Sequence, residues 1–146
     1  MANSNQPQRL ISLYLFVKDL TATIRFYESL GLDVEHVSDQ FARGSWNGDA
    51  VLEFGTAALT RSYDPAWQES EGLSKVTINF ELGSRESVDA MYEKLVADGF
   101  IGHLAPCDPL WQARFAIVED PDGNYVGLHS QRNGDADRAR ERGGNQ

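Results

Sequence analysis

Hydrophobic and polar positions along this chain follow two periods, one typical of strands and one typical of helices. The apolar run 10–17 and the alternation over 75–82 predict two strands. Apolar residues three and four apart predict a helix over 21–30 and another from Ser84, its N-cap, to about Asp98. The further elements predicted are strands at 32–37, 50–54, 57–61 and about 100–104, an irregular segment at 38–46, and a hairpin around Asp120-Pro121-Asp122-Gly123.

The two halves of the chain repeat each other at an offset of 65 residues. The residues that superpose are Leu13, Leu15 and Val17 on Ile78, Phe80 and Leu82, and Phe26, Tyr27, Glu28 and Leu30 on Met91, Tyr92, Glu93 and Leu95. Each half then contains one strand, one helix and three more strands. The sequence therefore predicts an α+β fold of two βαβββ modules, at about 9–65 and 74–130, that form a curved sheet around a cleft.

The predicted modules lie in a single domain over residues 9–130. The polar segments 1–8 and 131–146 contain no large apolar residue after the initiating methionine, and we expect both to be disordered. Alternation along the first strand of each module decides which side chains face the helices. The residues expected on the opposite, concave face are Ser12, Tyr14, Phe16, Thr77, Asn79 and Glu81.

The composition excludes several classes of partner. A net charge of −9 argues against nucleic acid, and no run of 18 apolar residues indicates a membrane span. The N-terminus lacks a signal-peptide pattern, and the single cysteine, Cys107, is compatible with a reducing compartment. We therefore expect a cytoplasmic protein without a nucleic-acid or membrane partner.

Several short motifs occur in a characteristic order along the chain. These are Val17-Lys18-Asp19-Leu20, Phe26-Tyr27, Leu30-Gly31, Val88-Asp89, Leu95 to Gly99, Arg114 and Asp120-Pro121-Asp122-Gly123. With the internal repeat, they resemble the vicinal oxygen chelate superfamily, which comprises glyoxalases, bleomycin-resistance proteins and extradiol dioxygenases. The resemblance covers nearly all of residues 10–130. It implies the fold but no single activity, because this fold supports isomerases, lyases, dioxygenases, thiol transferases and drug-sequestering proteins.

Enzymes of this superfamily generally hold a divalent metal with His, Glu or Gln side chains on four strands. Carried over by position, the ligand positions fall on Ser12, near Ala58, on Thr77 and on Gly127. None of these residues is an effective ligand for a transition metal, so the resemblance implies a metal-free, cofactor-free member. A metal or acid–base site rebuilt from His129, Glu53 or Glu81 stays open as an alternative.

Aromatic and hydrogen-bonding residues are expected to line the cleft instead. The predicted ligand-binding residues are Tyr14, Phe16, Trp46, Asn79, Trp111, Arg114, Tyr125 and His129. The alternatives are that the aromatic residues fill a core or a dimer interface, and that Arg114 pairs with Glu53 or Glu81. His36 and His103 are interpreted as surface residues at strand ends.

The function expected is binding without catalysis. The resemblance to the bleomycin-resistance branch implies a homodimer that sequesters an aromatic or cationic drug or metabolite, as in antibiotic resistance. The alternative is a lyase, isomerase or dioxygenase of the same superfamily with a non-standard metal or acid–base site. Catalytic residues are not assigned by the sequence.

Overall fold

The computed structural model describes residues 10–46, 51–70, 76–109 and 113–131. The chain divides into two compact units, a first module over residues 1–68 and a second module over 69–146. No helix within these described ranges is long and apolar enough to cross a membrane. Of the segments predicted to be disordered, 1–8 lies outside the described residues, and so does 131–146 apart from Gln131.

The first module contains one four-stranded sheet in the order β1-β4-β3-β2. Its elements are β1 (Ser12–Val17), α1 (Leu20–Ser29), β2 (Asp33–Ser38), β3 (Phe41–Ser45), β4 (Val51–Thr56) and α2 (Ala57–Tyr63). β1 pairs with β4 in parallel, and the other neighbours are antiparallel.

The second module repeats this topology in the order β5-β8-β7-β6. Its elements are β5 (Thr77–Glu81), α3 (Arg85–Ala97), β6 (Ile101–Cys107), β7 (Phe115–Glu119) and β8 (Tyr125–His129). β5 pairs with β8 in parallel, β8 pairs with β7 in antiparallel fashion, and β7 pairs with β6 in the same way. The predicted α+β fold with two βαβββ modules is confirmed.

Each sheet packs one face against its own helix. In the first module Tyr27 of α1 stacks on Phe54 of β4 with ring centroids 4.8 Å apart, and both are fully buried. In the second module Val88 and Leu95 of α3 are fully buried. The sheet residues buried with them are Ala116, Val118, Val126 and Leu128. We call the opposite face of each sheet its distal face, and alternation along the strands assigns residues to it.

The strand predicted at 57–61 is wrong, because these residues begin helix α2. Thr56 is its N-cap, and the Thr56 hydroxyl accepts a hydrogen bond from the Leu59 backbone N–H at 3.3 Å. Ala57-Ala58-Leu59 then has high helix propensity, and the cap satisfies a backbone donor at the first turn.

The irregular segment predicted at 38–46 is also wrong, because it contains β3. Its residues pair with β2 on one side and β4 on the other. Ala42 is fully buried, and Gly44 packs close to Phe54 and Leu32. Small residues at alternate positions fit under α1, so pairing and packing decide this strand despite its weak local propensity.

The predicted hairpin turn at Asp120-Pro121-Asp122-Gly123 is present between β7 and β8. The buried Asp120 carboxylate accepts hydrogen bonds from the backbone N–H groups of Asp122 and Asn124, each at 2.9 Å. It also accepts one from the Asn124 side-chain amide at 2.9 Å. Gly123 has a φ of 82°, a left-handed conformation that glycine adopts without strain. The turn therefore fixes the register of β8, which carries much of the candidate site.

Candidate ligand-binding site

The centre of the candidate site is the distal face of the second module. β8 places Tyr125, Gly127 and His129 on this face, and their register partners on β5 are Thr77, Asn79 and Glu81. On β7 the partners of the same three residues are Glu119, Ile117 and Phe115. These nine residues define the distal face of the second module.

Gly127 lies at the middle of this face, and the Asn79 side chain lies directly over it. A Cβ atom added at residue 127 would be 2.0 Å from Asn79 Oδ1 and 3.1 Å from Phe115 Cε2. The absent side chain of Gly127 therefore leaves room that the Asn79 carboxamide occupies. No hydrogen bond joins the Asn79 carboxamide to another described residue, and Asn79 is exposed.

Two pairs of aromatic rings flank the Asn79 carboxamide along β8. His103 of β6 stacks on Tyr125, with centroids 4.3 Å apart and ring planes 25° apart. Phe115 of β7 packs against His129, with centroids 4.4 Å apart and planes 46° apart. Because residues 125 and 129 are four positions apart on one strand, the two ring pairs are roughly 13 Å apart. Flat apolar surfaces with one polar group between them suit a small organic ligand.

The charge of this face is negative. Glu81 and Glu119 lie on it, and none of its nine residues is Lys or Arg. The histidines at 103 and 129 are its only basic side chains within the described strands. The face therefore favours a neutral or cationic ligand over an anionic one.

The distal face of the first module is arranged differently, because α2 packs against it. The Tyr14 hydroxyl lies 2.9 Å from Thr60 Oγ1, and Thr60 Oγ1 donates to the Thr56 carbonyl oxygen at 2.9 Å. Since the single Thr60 hydroxyl proton is used in that bond, Tyr14 is the donor to Thr60. The Tyr14 ring lies over Gly55, where an added Cβ would be 1.6 Å from the hydroxyl oxygen. Tyr14 and α2 thus fill the space above β4.

The chain after α2 extends this packing to the end of β1. Trp67 contacts Phe16 with ring centroids 4.6 Å apart. The Arg61 guanidinium lies 5.4 Å from the centre of the Trp67 ring, a cation–π contact. Phe16 is therefore covered by residues of its own module.

A chain of charged groups continues across the distal face of the first module. Arg43 lies between two carboxylates, with Nη1 3.5 Å from Glu35 Oε2 and Nη2 4.0 Å from Glu53 Oε2. Burial raises the pKa of the nearby Tyr14 hydroxyl, and Tyr63 and Glu53 raise it further. Tyr14 is therefore held in its protonated form.

The structure brings three of the predicted ligand-binding residues together on one face, namely Asn79, Tyr125 and His129. Tyr14 and Phe16 lie on the distal face of the other module. Trp46 follows β3 and is 41% exposed. Trp111 lies outside the described residues.

Arg114 lies on the helix side of its sheet. Its Nε donates to Asp89 Oδ1 of α3 at 2.9 Å, and Nη1 lies 3.3 Å from Asp108 Oδ1, rather than beside Glu53 or Glu81. The Asp89 hydrogen bond raises the pKa of Arg114. Partial desolvation raises the pKa of Asp108, but hydrogen bonds from Arg85 and Arg114 outweigh this effect and lower it.

The sequence prediction omitted two residues of the site, Phe115 and His103. Phe115 is opposite His129 in the hairpin register, which can be counted from the Asp120–Gly123 turn. His103 is exposed, as expected of a surface residue, but it lies at a register shift within β6 rather than at the strand end, and it stacks on Tyr125. No local sequence signal indicates that shift.

The structure changes one of the expected metal-ligand positions. Ala58 lies on α2 and not on a strand. Tyr14 pairs with Glu53 as its repeat mate Asn79 pairs with Gly127, so Glu53 is the equivalent of Gly127 in the first module. The second position is therefore Glu53.

The corrected set of positions still does not fit a divalent metal. Glu53 is the single strong donor among Ser12, Glu53, Thr77 and Gly127, and it lies 4.0 Å from Arg43. At Gly127 the Asn79 carboxamide occupies the space that a ligand side chain would need. Within the described parts of the chain, no three His, Cys, Asp or Glu residues are grouped to hold a metal ion.

Comparison with known proteins agrees with the fold and the internal repeat. Residues 9–128 match the model of the glyoxalase/bleomycin resistance protein/dioxygenase superfamily. The chain therefore belongs to this superfamily. A search of curated proteins finds no significant match.

Solved structures support the same assignment. A glyoxalase/bleomycin resistance protein/dioxygenase from Nocardioides is 28% identical with a TM-score of 0.73, and the match covers 90% of this chain and 88% of that one. A glyoxalase-related enzyme from Fulvimarina pelagi is 21% identical with a TM-score of 0.76, covering 86% and 89%. A lactoylglutathione lyase from Agrobacterium tumefaciens is 18% identical with a TM-score of 0.64, covering 85% and 94%. Because the last two structures are 21% and 18% identical to this chain, their similarity establishes the fold alone.

Proposed function

We propose that this protein binds a small aromatic ligand, neutral or cationic, without a metal ion. The observation that carries the proposal is the Asn79 carboxamide over Gly127 between two ring pairs. The ligand lies on the distal face of the second module, with Tyr125 and His129 as its aromatic contacts. Rings of this kind contribute large apolar contact area and hold a flat molecule in a defined orientation.

The donor chemistry of the superfamily's metal positions supports binding without a metal. Of the four positions, Ser12 and Thr77 carry hydroxyls, Gly127 has no side chain, and Glu53 is already close to Arg43. A ligand that binds other members of the fold by chelating their metal ion would have no metal ion to chelate at these four positions. Contacts with rings and the carboxamide take the place of that interaction in this proposal.

The charge of the site supports the choice of a neutral or cationic ligand. Glu81 and Glu119 lie on the same face as the rings, and the whole chain has a net charge of −9. A cation over an aromatic ring gains about 0.5–2 kcal/mol from the ring quadrupole. Sequestration of such a compound by a cytoplasmic homodimer, as in antibiotic resistance, is the use that we propose for this site.

Calorimetric titration in the presence of EDTA tests the proposal. Acridine-type cations, neutral quinolines and aromatic carboxylates are titrated into the wild-type protein and into Tyr125→Ala. We expect micromolar binding of cationic or neutral rings, weaker binding of carboxylates, and about a tenfold loss in Tyr125→Ala, since a ring contact contributes about 0.5–1.5 kcal/mol beyond its buried area. Tyr63→Ala, at an exposed tyrosine of the other module, is the matched control and should bind as wild type. The proposal would be contradicted if no ring compound bound, or if Tyr125→Ala bound the ring compounds as tightly as the wild-type protein.

A second candidate, acid–base catalysis, is favoured by the charged groups of the first module. Glu53 is half-buried, Arg43 is beside it, and the protonated Tyr14 is its register partner. In this proposal Glu53 takes a proton from the carbon next to a substrate carbonyl, Arg43 binds the enolate oxygen, and Glu53 then delivers the proton to that oxygen, so that the ketone becomes its enol.

Hydrogen–deuterium exchange of phenylpyruvate in D₂O, followed by NMR, tests this second candidate. The expected result is protein-dependent exchange that Glu53→Gln abolishes and Tyr63→Phe retains. Exchange no faster than in buffer alone would remove the candidate.

A further inference from the structure

The Asn79 carboxamide, which forms no hydrogen bond with another described residue, is suited to select among aromatic compounds. A carboxamide presents one hydrogen-bond acceptor and one donor group side by side. Within the described chain neither is used, although the side chain lies over Gly127 at the centre of the distal face of the second module. The groups around it are the two ring pairs, the apolar Ile117, the Thr77 hydroxyl and the Glu81 carboxylate, and Asn79 is the carboxamide among them.

We propose that Asn79 selects planar ligands that carry a donor and an acceptor on adjacent ring atoms, such as lactams. This inference rests on the proposed function and names the chemical class for the same site. A ring lying between the two aromatic pairs presents its edge to the carboxamide, and an N–H and C=O on that edge form two hydrogen bonds at once. Asn side chains bind adenine edges in DNA by the same paired geometry.

The position of Asn79 is consistent with recognition rather than with folding. The residue is exposed, and its side chain contributes no hydrogen bond to the described strands or loops. Its repeat mate Tyr14 instead donates to Thr60 and lies under α2. The two modules therefore use equivalent positions differently: Tyr14 is hydrogen-bonded to α2, whereas no described residue forms a hydrogen bond with the Asn79 carboxamide.

A matched pair of probes tests the inference. Quinolin-2-one carries the lactam edge, whereas 1-methylquinolin-2-one has the same ring system with its N–H blocked. By calorimetry, the wild-type protein should bind quinolin-2-one at least about tenfold more tightly, because loss of a paired hydrogen bond leaves a polar group unsatisfied. The Asn79 side-chain NH₂ signals in ¹H–¹⁵N spectra should shift with quinolin-2-one and not with its N-methyl analogue.

Asn79→Leu, which keeps the side-chain shape and removes both polar groups, should bind the two probes with equal affinity. Gln40→Leu is the matched control, since it removes an exposed carboxamide from a turn of the first module, and it should keep the wild-type preference. Thermal unfolding by circular dichroism verifies that both variants are folded.

The possible failures are distinguishable. Equal binding of both probes by the wild-type protein, or a preference that survives in Asn79→Leu, overturns the lactam inference and leaves aromatic binding intact. Binding of other planar rings without either quinolinone also overturns the inference alone. Failure of all ring compounds to bind overturns the proposed function together with it.

Discussion

At the scale of single residues, one glycine on each distal face accepts a neighbouring side chain at close range. Tyr14 lies over Gly55 and Asn79 lies over Gly127. The difference is in the part of the side chain that makes the contact. At Gly55 it is the hydroxyl end and ring edge of a tyrosine held by a hydrogen bond, whereas at Gly127 it is mainly the tip of an exposed carboxamide.

Alanine at these two glycines should therefore destabilise the protein unequally. Gly55→Ala forces the Tyr14 ring away from Thr60 and should lower the free energy of unfolding by about 1–3 kcal/mol, as overpacking does. Gly127→Ala displaces only the end of Asn79 and shifts Phe115 slightly, so we expect a loss below about 1 kcal/mol. Urea denaturation of both variants checks the order. The reverse order would contradict the contacts described for Tyr14.

Tyr14 also gives the protein a defined response to high pH. Its pKa is raised in the folded state above the unfolded value of about 10, so the folded state favours the protonated hydroxyl. The corresponding stability is fully present below pH 10 or so and is lost as the pH rises through the folded pKa. At neutral pH, Tyr14→Phe should have a free energy of unfolding about 0.5–1.5 kcal/mol lower than that of the wild type. Above about pH 10, the free energy of unfolding of the variant should fall less steeply with pH than that of the wild type. Denaturation between neutral pH and the alkaline range measures both effects, with Tyr92→Phe as the control. Parallel plots of unfolding free energy against pH for wild type and Tyr14→Phe would contradict the raised pKa of Tyr14.

At the scale of elements, the β7–β8 hairpin is the part that the sequence predicts best and on which the site depends most. Within one turn, the Asp120 carboxylate accepts hydrogen bonds from two backbone N–H groups and from the side-chain carboxamide of Asn124. This turn sets the register that pairs Phe115 with His129 and Glu119 with Tyr125. The ring pairs of the candidate site therefore depend on a buried carboxylate outside that site.

Asp120→Ala should lower the free energy of unfolding by about 2–4 kcal/mol, because it leaves several donors of the turn without their charged acceptor. Asp39→Ala, at an exposed aspartate in the β2–β3 turn, should change it by less than about 0.5 kcal/mol. Guanidinium denaturation of the two variants gives the comparison. Equal, small effects would show that Asp120 does not organise the hairpin.

The sequence predicted the elements that local pattern determines. Clear periodicity marks two strands, β1 and β5, and two helices, α1 and α3, and the helices also have recognisable caps. All four are present close to the predicted bounds. β3 was missed because its strand character comes from pairing with two neighbours rather than from its own residues. The strand predicted in place of α2 is wrong although the Thr56 cap and the helix propensity of Ala57-Ala58-Leu59 are both local signals.

The same division between local and long-range information applies to the site. Alternation along β5 and β8 was sufficient to place Asn79, Tyr125 and His129 on one face. The side of the sheet occupied by Arg114 follows from the register of Phe115 with His129, which the position of the Asp120–Gly123 turn determines. The contact of His103 with Tyr125 depends on an irregularity of β6 and had no sequence signal.

At the scale of the whole molecule, duplication has given two modules with the same topology and different distal faces. The first module fills its face with Tyr14 and α2, and the second presents rings around a carboxamide. The superfamily's metal positions carry one strong donor in this chain, Glu53. The internal repeat thus preserves the fold while the chemistry of the two faces has diverged.

The measurement that tests the central claim most directly is a ¹H–¹⁵N NMR titration of the wild-type protein with a planar aromatic ligand in EDTA. We predict saturable shifts centred on the backbone signals of Tyr125, Gly127 and His129 and on the Asn79 side-chain amide, unchanged when EDTA is replaced by Zn²⁺ or Ni²⁺. Shifts that appear only after metal is added, or that leave these four residues unaffected, would contradict metal-free binding at the distal face of the second module.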